Sequence, residues 1–274
     1  MFNPIANTTL IIGGQYSENQ TLADVEYFGP LSITIPPLSV AVYGSAAVYI
    51  DGTLYSCGGS TWDGACYKYD LAANSGTWEN FTTIEGYSVG NFAVAFDDFF
   101  WYFNEKIRQV PVNGGSVTSY DWGYGDIVCS LGNGSHSVVI LYSDSSVLMN
   151  SDTSFPTSWT TVVELNTVFG YCGCLWFGNT IYVTGGYDSP GGYQVNTTQL
   201  INMDTFELTL GAPLPVRVAF HGMGVIDGKP AIIGGESNSV ISSYIYVYDY
   251  PTNTWSLSDR SLSRQRSFFG SVTF

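Results

Sequence analysis

The chain has 274 residues, 45% of them hydrophobic, enough to bury a sizeable core as one large domain or two small ones. Only 11% are charged, while Gly 31, Tyr 20 and Phe 16 give a strand-and-turn composition, far from a disordered or coiled-coil one. Lys+Arg 8 against Asp+Glu 23 leaves a net charge of −15, which repels phosphate backbones and anionic lipid, so neither nucleic acid nor a membrane surface is expected as a partner. The longest apolar runs, such as Val138–Tyr142, fall short of the roughly 20 residues a membrane helix needs, and membrane insertion is not expected.

From the N-terminus onward, a short apolar run ending in a glycine pair recurs. It reads Thr9-Leu10-Ile11-Ile12-Gly13-Gly14, then Thr53-Leu54-Tyr55-Ser56-Cys57-Gly58-Gly59. It returns as Thr180-Ile181-Tyr182-Val183-Thr184-Gly185-Gly186 and as Pro230-Ala231-Ile232-Ile233-Gly234-Gly235. Two degenerate copies lie between, Phe99–Asn104 and Val138–Ser143. The spacing of roughly 40–50 residues is that of a four-stranded propeller blade, and the copies fill the chain.

Each copy follows a strand and a two-residue turn. Ala46–Ile50 leads into Asp51-Gly52, Leu175–Phe177 into Gly178-Asn179, and Gly222–Ile226 into Asp227-Gly228. Asp-Gly between apolar runs signals a hairpin, because a type I′ turn needs positive φ at both positions. A longer loop follows, then an aromatic strand, a second turn and a strand with a large residue. In the last copy this is Tyr244–Asp249, the Pro251 and Asn253 turn, and Trp255; alternation predicts one buried face over Tyr244, Tyr246 and Tyr248. In the second copy it is Tyr67–Asp70 followed by Trp78.

These features resemble the Kelch-repeat β-propellers, which are marked by a double glycine, then a Tyr, a Trp, and an Arg in the loop leading to the next blade. Ala212–Arg217 through His221-Gly222 to Gly234-Gly235 matches this pattern, as does Leu262–Gly270. The resemblance spans the chain unevenly. The second, fifth and sixth copies are good, the first is shortened with Ile33 near its Trp slot, and the third and fourth lack the glycine pair.

The resemblance implies an all-β, six-bladed propeller of four-stranded antiparallel blades. The blades are expected at 9–38 plus 267–274, 43–85, 89–120, 126–164, 170–210 and 218–258. The chain begins at a second strand (Leu10–Gly14) and stops at a first (Phe268–Phe274), so pairing the two closes the ring and removes open edges. The glycines are expected to let neighbouring blades approach, and the Tyr and Trp side chains to fill the wedges between them.

The five cysteines leave at least one without a partner in the chain. Cys57 and Cys66 fall on adjacent antiparallel strands, at a separation a disulfide accepts, the alternative being two reduced buried thiols. Cys129 occupies the turn-aligned position of Cys174, with Cys172 two residues earlier, so a bridge from Cys129 to either is open. Cys172-Gly173-Cys174 has no second pair or histidine at zinc spacing, and no metal or other cofactor is expected.

Sequons at Asn7, Asn19, Asn80, Asn133 and Asn196 are candidates for glycosylation. Met1-Phe2-Asn3-Pro4 opens without a basic and apolar signal region, so either a signal peptide has been removed or the chain is cytoplasmic. The cysteine pair, the acidic balance and the sequons favour an extracellular, secreted glycoprotein. No BTB- or BACK-like segment precedes the repeats, so a ubiquitin-ligase adaptor role is not expected of this chain.

Catalysis requires convergent titratable groups. The two histidines, His136 and His221, lie two expected blades apart and do not form a copper pair. Asp24, Asp63, Asp70, Asp97, Asp98 and Asp126 offer carboxylates, but mostly in turns where Asp bonds locally. Asn150–Trp159 is similar to the Asp-box turn of sialidase propellers but lacks its glycine. Arg108, Arg217 and Arg266 are candidate anion binders, although the latter two match a position that usually bonds backbone. Serine-nucleophile and phosphate-loop sequences are missing.

The expected function is therefore a non-enzymatic interaction module whose loops meet a protein or glycan partner. Tyr16, Trp62, Tyr187, Glu236, Arg217 and Arg266 are the expected binding residues. A structural subunit of an extracellular sheath or filament, self-associating or joined through the spare cysteine, is the first alternative. A glycan-acting hydrolase is the second.

Overall fold

The computed structural model describes residues 8–17, 20–30, 34–60, 64–73, 76–85, 92–142, 144–150 and 158–274. The described residues form strands and turns without a helix, and their sheets make the six blades of a β-propeller. The chain divides into two compact units: Met1–Asp121 with Gly224–Gly228 and Phe268–Phe274, and Trp122–Met223 with Lys229–Ser267.

In the first unit, the N-terminal blade has the spatial order Gly270–Thr273, Thr9–Ile12, Val25–Phe28. The last strand of the chain thus pairs with the first, antiparallel, with Thr9 opposite Thr273 and Ile12 opposite Gly270. This is the closure expected from the chain ends. The blade shows three strands among the described residues rather than four; Ile33 lies outside them.

The second blade is a meander of Ala46–Ile50, Thr53–Cys57, Ala65–Asp70 and Glu79–Thr83. The third consists of Phe92–Ala95, Phe99–Phe103, Lys106–Pro111 and Thr118–Asp121. In the second unit, the fourth blade runs Ile127–Gly132, Ser137–Leu141, Ser146–Asn150, Thr160–Glu164, and the fifth Gly173–Phe177, Thr180–Thr184, Thr198–Asn202, Leu208–Leu210. The sixth blade is Gly222–Ile226, Lys229–Ile233, Tyr244–Asp249 and Thr254–Ser261.

The hairpin turns follow their chemistry. Asp51 and Gly52 both have positive φ (42° and 85°), as do Asp227 and Gly228 (50° and 75°), which a two-residue I′ turn requires. In Gly178-Asn179 only the glycine is positive (59°), as a II′ turn asks.

The apolar core lies between neighbouring sheets rather than in one centre. Leu10 and Ile12 of the first blade meet Leu54 and Tyr69 of the second. Val48 and Cys57 of the second meet Phe100 and Tyr102 of the third. Val138 and Ile140 of the fourth meet Ile181 and Ile201 of the fifth. Each such fully buried aliphatic side chain contributes about 1.5–3 kcal/mol.

The glycine pairs join these seams. Gly186 donates to Val218 O (2.8 Å), and Gly14 donates to Val42 O (2.8 Å), each reaching the segment that leads into the next blade. Gly185 has φ +56°, and a Cβ there would stand 2.5 Å from Val218 O. Both the left-handed backbone and the close approach thus require glycine. Where the pair is missing, the second and third strands are joined by short turns: Phe103 lies opposite Ile107, and Ile140 opposite Val147.

The outer Tyr and Trp residues fill the wedges. Trp78 Nε1 donates to Pro36 O (2.9 Å), and Trp255 Nε1 donates to Ala212 O (3.1 Å), each reaching the linker that leaves the preceding blade. Their rings pack on Tyr69 at 5.6 Å and Tyr248 at 4.9 Å. One strand departs from the expected alternation. Tyr244 is 57% exposed, whereas Ile245 and Tyr248 are buried, because the register shifts between Tyr244 and Tyr246. An irregularity at that point turns Tyr244 out of the buried face.

Two disulfides form. Cys57–Cys66 links register partners on adjacent strands, with Cα atoms 4.1 Å apart. Cys129–Cys174 joins the first strands of the fourth and fifth blades, with Cα atoms 6.4 Å apart, so Cys174 rather than Cys172 takes the bridge. Cys172 is the free cysteine and it is buried, its thiol pushed up to about 12 by desolvation. The spare thiol therefore lies in the core and is not displayed for a bond to another chain.

Candidate functional site

Three glycine pairs lead into two-stranded ribbons that extend beyond the blades. They are Gln15–Ser17 with Gln20–Thr21, Tyr187–Asp188 with Tyr193–Gln194, and Glu236–Ser237 with Val240–Ile241. Tyr16, Tyr187 and Glu236 thus occupy matching ribbons, all three half-buried. Trp62, at the corresponding place in the second blade, lies outside the described residues.

In the second unit, the ribbons of the fifth and sixth blades are coupled by Asn238 N donating to Gln194 Oε1 at 3.4 Å. Each also pairs with the segment leading into its own blade, Tyr187 with Gly170 and Glu236 with Ala219. These bridges place Tyr187 beside Phe220, with ring centroids 6.4 Å apart and planes 27° from parallel. Tyr171 packs on the same Phe220 ring at 4.5 Å. Arg217 is exposed and stands over the Tyr193 ring, 5.5 Å from its centroid. Tyr171 and Tyr193 are 49% and 45% exposed. The result is a patch of aromatic faces beside a cation, with Asp188 half-exposed on the ribbon.

The backbone beneath this patch is strained. Tyr171 and Phe220 both have φ of 58°, and Phe268 in the first unit has 52°. For bulky side chains that region costs on the order of 1–3 kcal/mol and persists only where surrounding contacts enforce it. Those contacts are backbone bonds between successive leading segments: Phe220 N donates to Tyr171 O (3.0 Å), and Gly44 N donates to Phe268 O (2.6 Å). The strain presents an aromatic ring at the same step ahead of three blades, the fifth, the sixth and the first.

Composition does not single out Tyr171, Phe220 and Tyr193 as surface residues. The repeat does carry a signal: an aromatic stands two residues before the glycine that opens the first strand in Tyr171-Cys172-Gly173, Phe220-His221-Gly222 and Phe268-Phe269-Gly270.

Arg266 has a different place from its sequence counterpart Arg217. Its relative exposure is 0%, and its carbonyl accepts from Gly235 N at 2.9 Å, so it belongs to the interior and not to an exposed binding face. The physical reason is register: Arg266 accepts the bond from Gly235 that Val218 accepts from Gly186, so it stands where buried Val218 does, one step along from Arg217.

His221 is also structural. Its Nε2 lies 2.9 Å from Thr184 Oγ1, and a Cβ on Gly173 would come within 2.5 Å of that same nitrogen. Burial lowers its pKa to about 4, so the ring is neutral. With Nε2–H donating to Thr184, the hydroxyl donates to Gly173 O at 3.3 Å, which satisfies Nε2 and the hydroxyl while Nδ1 stays buried without a partner. His136 lies in a turn where its N–H donates to Asn133 Oδ1 at 2.9 Å.

The sequons differ in access. Asn80 and Asn133 are exposed, whereas the Asn196 amide nitrogen donates to Leu214 O at 3.2 Å; Asn7 and Asn19 lie outside the described residues. Most of the Asp-box-like stretch, 151–157, also lies outside them. Among the described residues, no group of three or more His, Cys, Asp or Glu gathers in a way that could hold a metal ion.

No curated protein matches the sequence. Among solved structures the chain is similar to that of YjhT, with a TM-score of 0.73 and 13% identity over 85% of this chain and 88% of that one. At this identity the likeness bears on the fold alone. The family model for the Kelch motif matches residues 217–257, which run from Arg217 through the Gly234-Gly235 pair to Trp255. This chain is a six-bladed β-propeller carrying a Kelch motif.

Proposed function

We propose that the protein is a non-enzymatic interaction module that works in an oxidising, extracellular setting and meets a protein or glycan partner. The observation that carries this reading is the aromatic patch of the second unit, where Tyr171 and Phe220 are held on strained, cross-bonded backbone and Arg217 stands over the Tyr193 ring. Rigid display of large aromatic faces and an Arg gives binding area at little cost in side-chain entropy. Aromatic faces also stack on the apolar faces of sugar rings, and Asp188 adds a hydrogen-bond acceptor. Two disulfides support the oxidising compartment.

The test is binding of the purified protein to arrays of glycans and of extracellular proteins, compared with the triple variant Tyr171→Ala, Tyr193→Ala, Arg217→Ala. Loss of the hits in this variant supports the assignment. Full retention, or loss in a control variant carrying Tyr250→Ala on the opposite turn of the sixth blade, refutes it.

A structural subunit remains the second reading, favoured by one observation. The outer strand Thr254–Ser261 is the longest of the described strands, and Tyr244, Tyr250 and Leu257 around it are 57%, 61% and 58% exposed. An edge of this kind invites pairing with another chain. Sedimentation that shows a monomer at high concentration removes this reading.

A further inference from the structure

Arg108 is a charge in the interior without a counter-charge among the described residues. It lies on Lys106–Pro111 opposite Tyr102 and is only 8% exposed. Its strand position puts it on the same face as Val110, which packs with Phe100 and Tyr102 into the wedge between the second and third blades. The three ion pairs of the described residues belong to Lys68, Lys106 and Lys229. The hydrogen-bond partner of Arg108 is Asn104 Oδ1. A guanidinium has five N–H donors; one goes to Asn104, and the remaining nitrogens are not sealed from solvent, so an anion arriving from outside can reach them.

Asn104 makes the imbalance sharper. Its Oδ1 accepts from Arg108 and also from Lys106 N (3.1 Å), which fixes the orientation of the amide. Its Nδ2 is then buried with no partner. Tyr102 adds no negative charge, because burial raises its phenol pKa above the ordinary value. The Arg108–Asn104 pair therefore gathers N–H donors and lacks an acceptor. It occupies the place where the third blade carries Asn104 in line with the first glycine of the other copies.

We propose that Arg108 and Asn104 bind the carboxylate of a small organic acid. The planar guanidinium matches a carboxylate in a fork, one oxygen facing Arg108 and the other Asn104 Nδ2. The net charge of −15 disfavours a dianion such as phosphate at this site. The site is separate from the aromatic patch and does not depend on it.

The test compares thermal melting in sodium acetate and in sodium chloride at equal ionic strength, for the wild type and for Asn104→Asp. The Asp retains both acceptor bonds and supplies the missing charge internally. Acetate at about 100 mM is expected to raise the wild-type midpoint by about 2 °C beyond chloride. Asn104→Asp is expected to melt about 2–4 °C above the wild type and to gain nothing further from acetate. Equal effects of acetate and chloride on the wild type, or an acetate response unchanged in Asn104→Asp, overturn the proposal. A larger shift with inorganic phosphate than with acetate overturns the carboxylate class. If Asn104→Asp does not fold, the Asn104 Nδ2 and Arg108 Nε resonances of the wild type decide the matter: saturable shifts with acetate support the site, and none refutes it.

Discussion

Replacing Cys129 and Cys174 together by alanine removes a cross-link between residues 45 apart in sequence, whereas Cys57 and Cys66 are only 9 apart. In the chain-entropy account, the bridge acts by restricting the unfolded chain, and the longer loop gains more. It gives about 4 kcal/mol for Cys129–Cys174 and about 2.6 kcal/mol for Cys57–Cys66. The structure adds a second reason for the same order. Cys57 and Cys66 are register partners on strands already joined by a backbone ladder, while Cys129 and Cys174 join two different sheets. Urea unfolding of the two double-alanine variants beside the wild type measures both costs. The Cys129/Cys174 variant is also expected to show a larger m-value, because its unfolded chain is less compact. The reasoning fails if the short-loop variant loses as much stability as the long-loop one. It fails equally if the long-loop variant unfolds within about 1 kcal/mol of the wild type.

Other expectations follow from single contacts. The folded pKa of His221 near 4, against 6.5 for a free imidazole, means the unfolded chain takes up a proton that the folded one refuses. Its contribution is therefore complete above pH 6.5 and falls as pH drops towards 4, by about 3 kcal/mol; in His221→Gln this part of the slope should vanish from melts taken between those values. Gly185→Ala forces a Cβ against Val218 O and His221 at φ +56° and should cost about 2–4 kcal/mol, whereas Gly228→Ala, at φ +75° with open space around it, should cost about 1–2 kcal/mol; chemical unfolding of the two proteins compares them. Phe220→Gly removes a ring from the patch but relieves backbone strain, so partner binding should fall while the melting temperature changes by less than a buried Phe deletion would predict. Secreted from a eukaryotic host, the protein should lose glycan mass in Asn80→Gln and Asn133→Gln and none in Asn196→Gln, whose amide is committed to Leu214 O.

Local rules made much of this architecture legible. Asp-Gly turns, glycine pairs and the Tyr and Trp that follow them are short-range signals, and each is satisfied by backbone dihedrals or a packing partner that the repeat itself supplies. Ring closure was legible too, because a chain that starts on a second strand and ends on a first has one pairing that leaves no edge open. The site was less so. Tyr187 and Arg217 were visible as loop residues, but the cluster of Tyr171, Phe220 and Tyr193 around them arises from bonds between successive blades.

What the amino-acid order determined by itself is the strand sequence, the turns, the Cys57–Cys66 pairing and the meeting of head and tail, all set by periods of two residues and by loop chemistry. The tertiary structure alone decided which of Cys172 and Cys174 meets Cys129, since the two stand two residues apart, Cys174 inside the strand Gly173–Phe177 and Cys172 just before it, and only the placing of the neighbouring sheet distinguishes them. It also decided that Arg217 lies on the surface and Arg266 inside, and that Asn104 and Arg108 face each other across a short turn with donors to spare. Those outcomes depend on what the next sheet brings to the seam, and no local pattern in the chain encodes that distance.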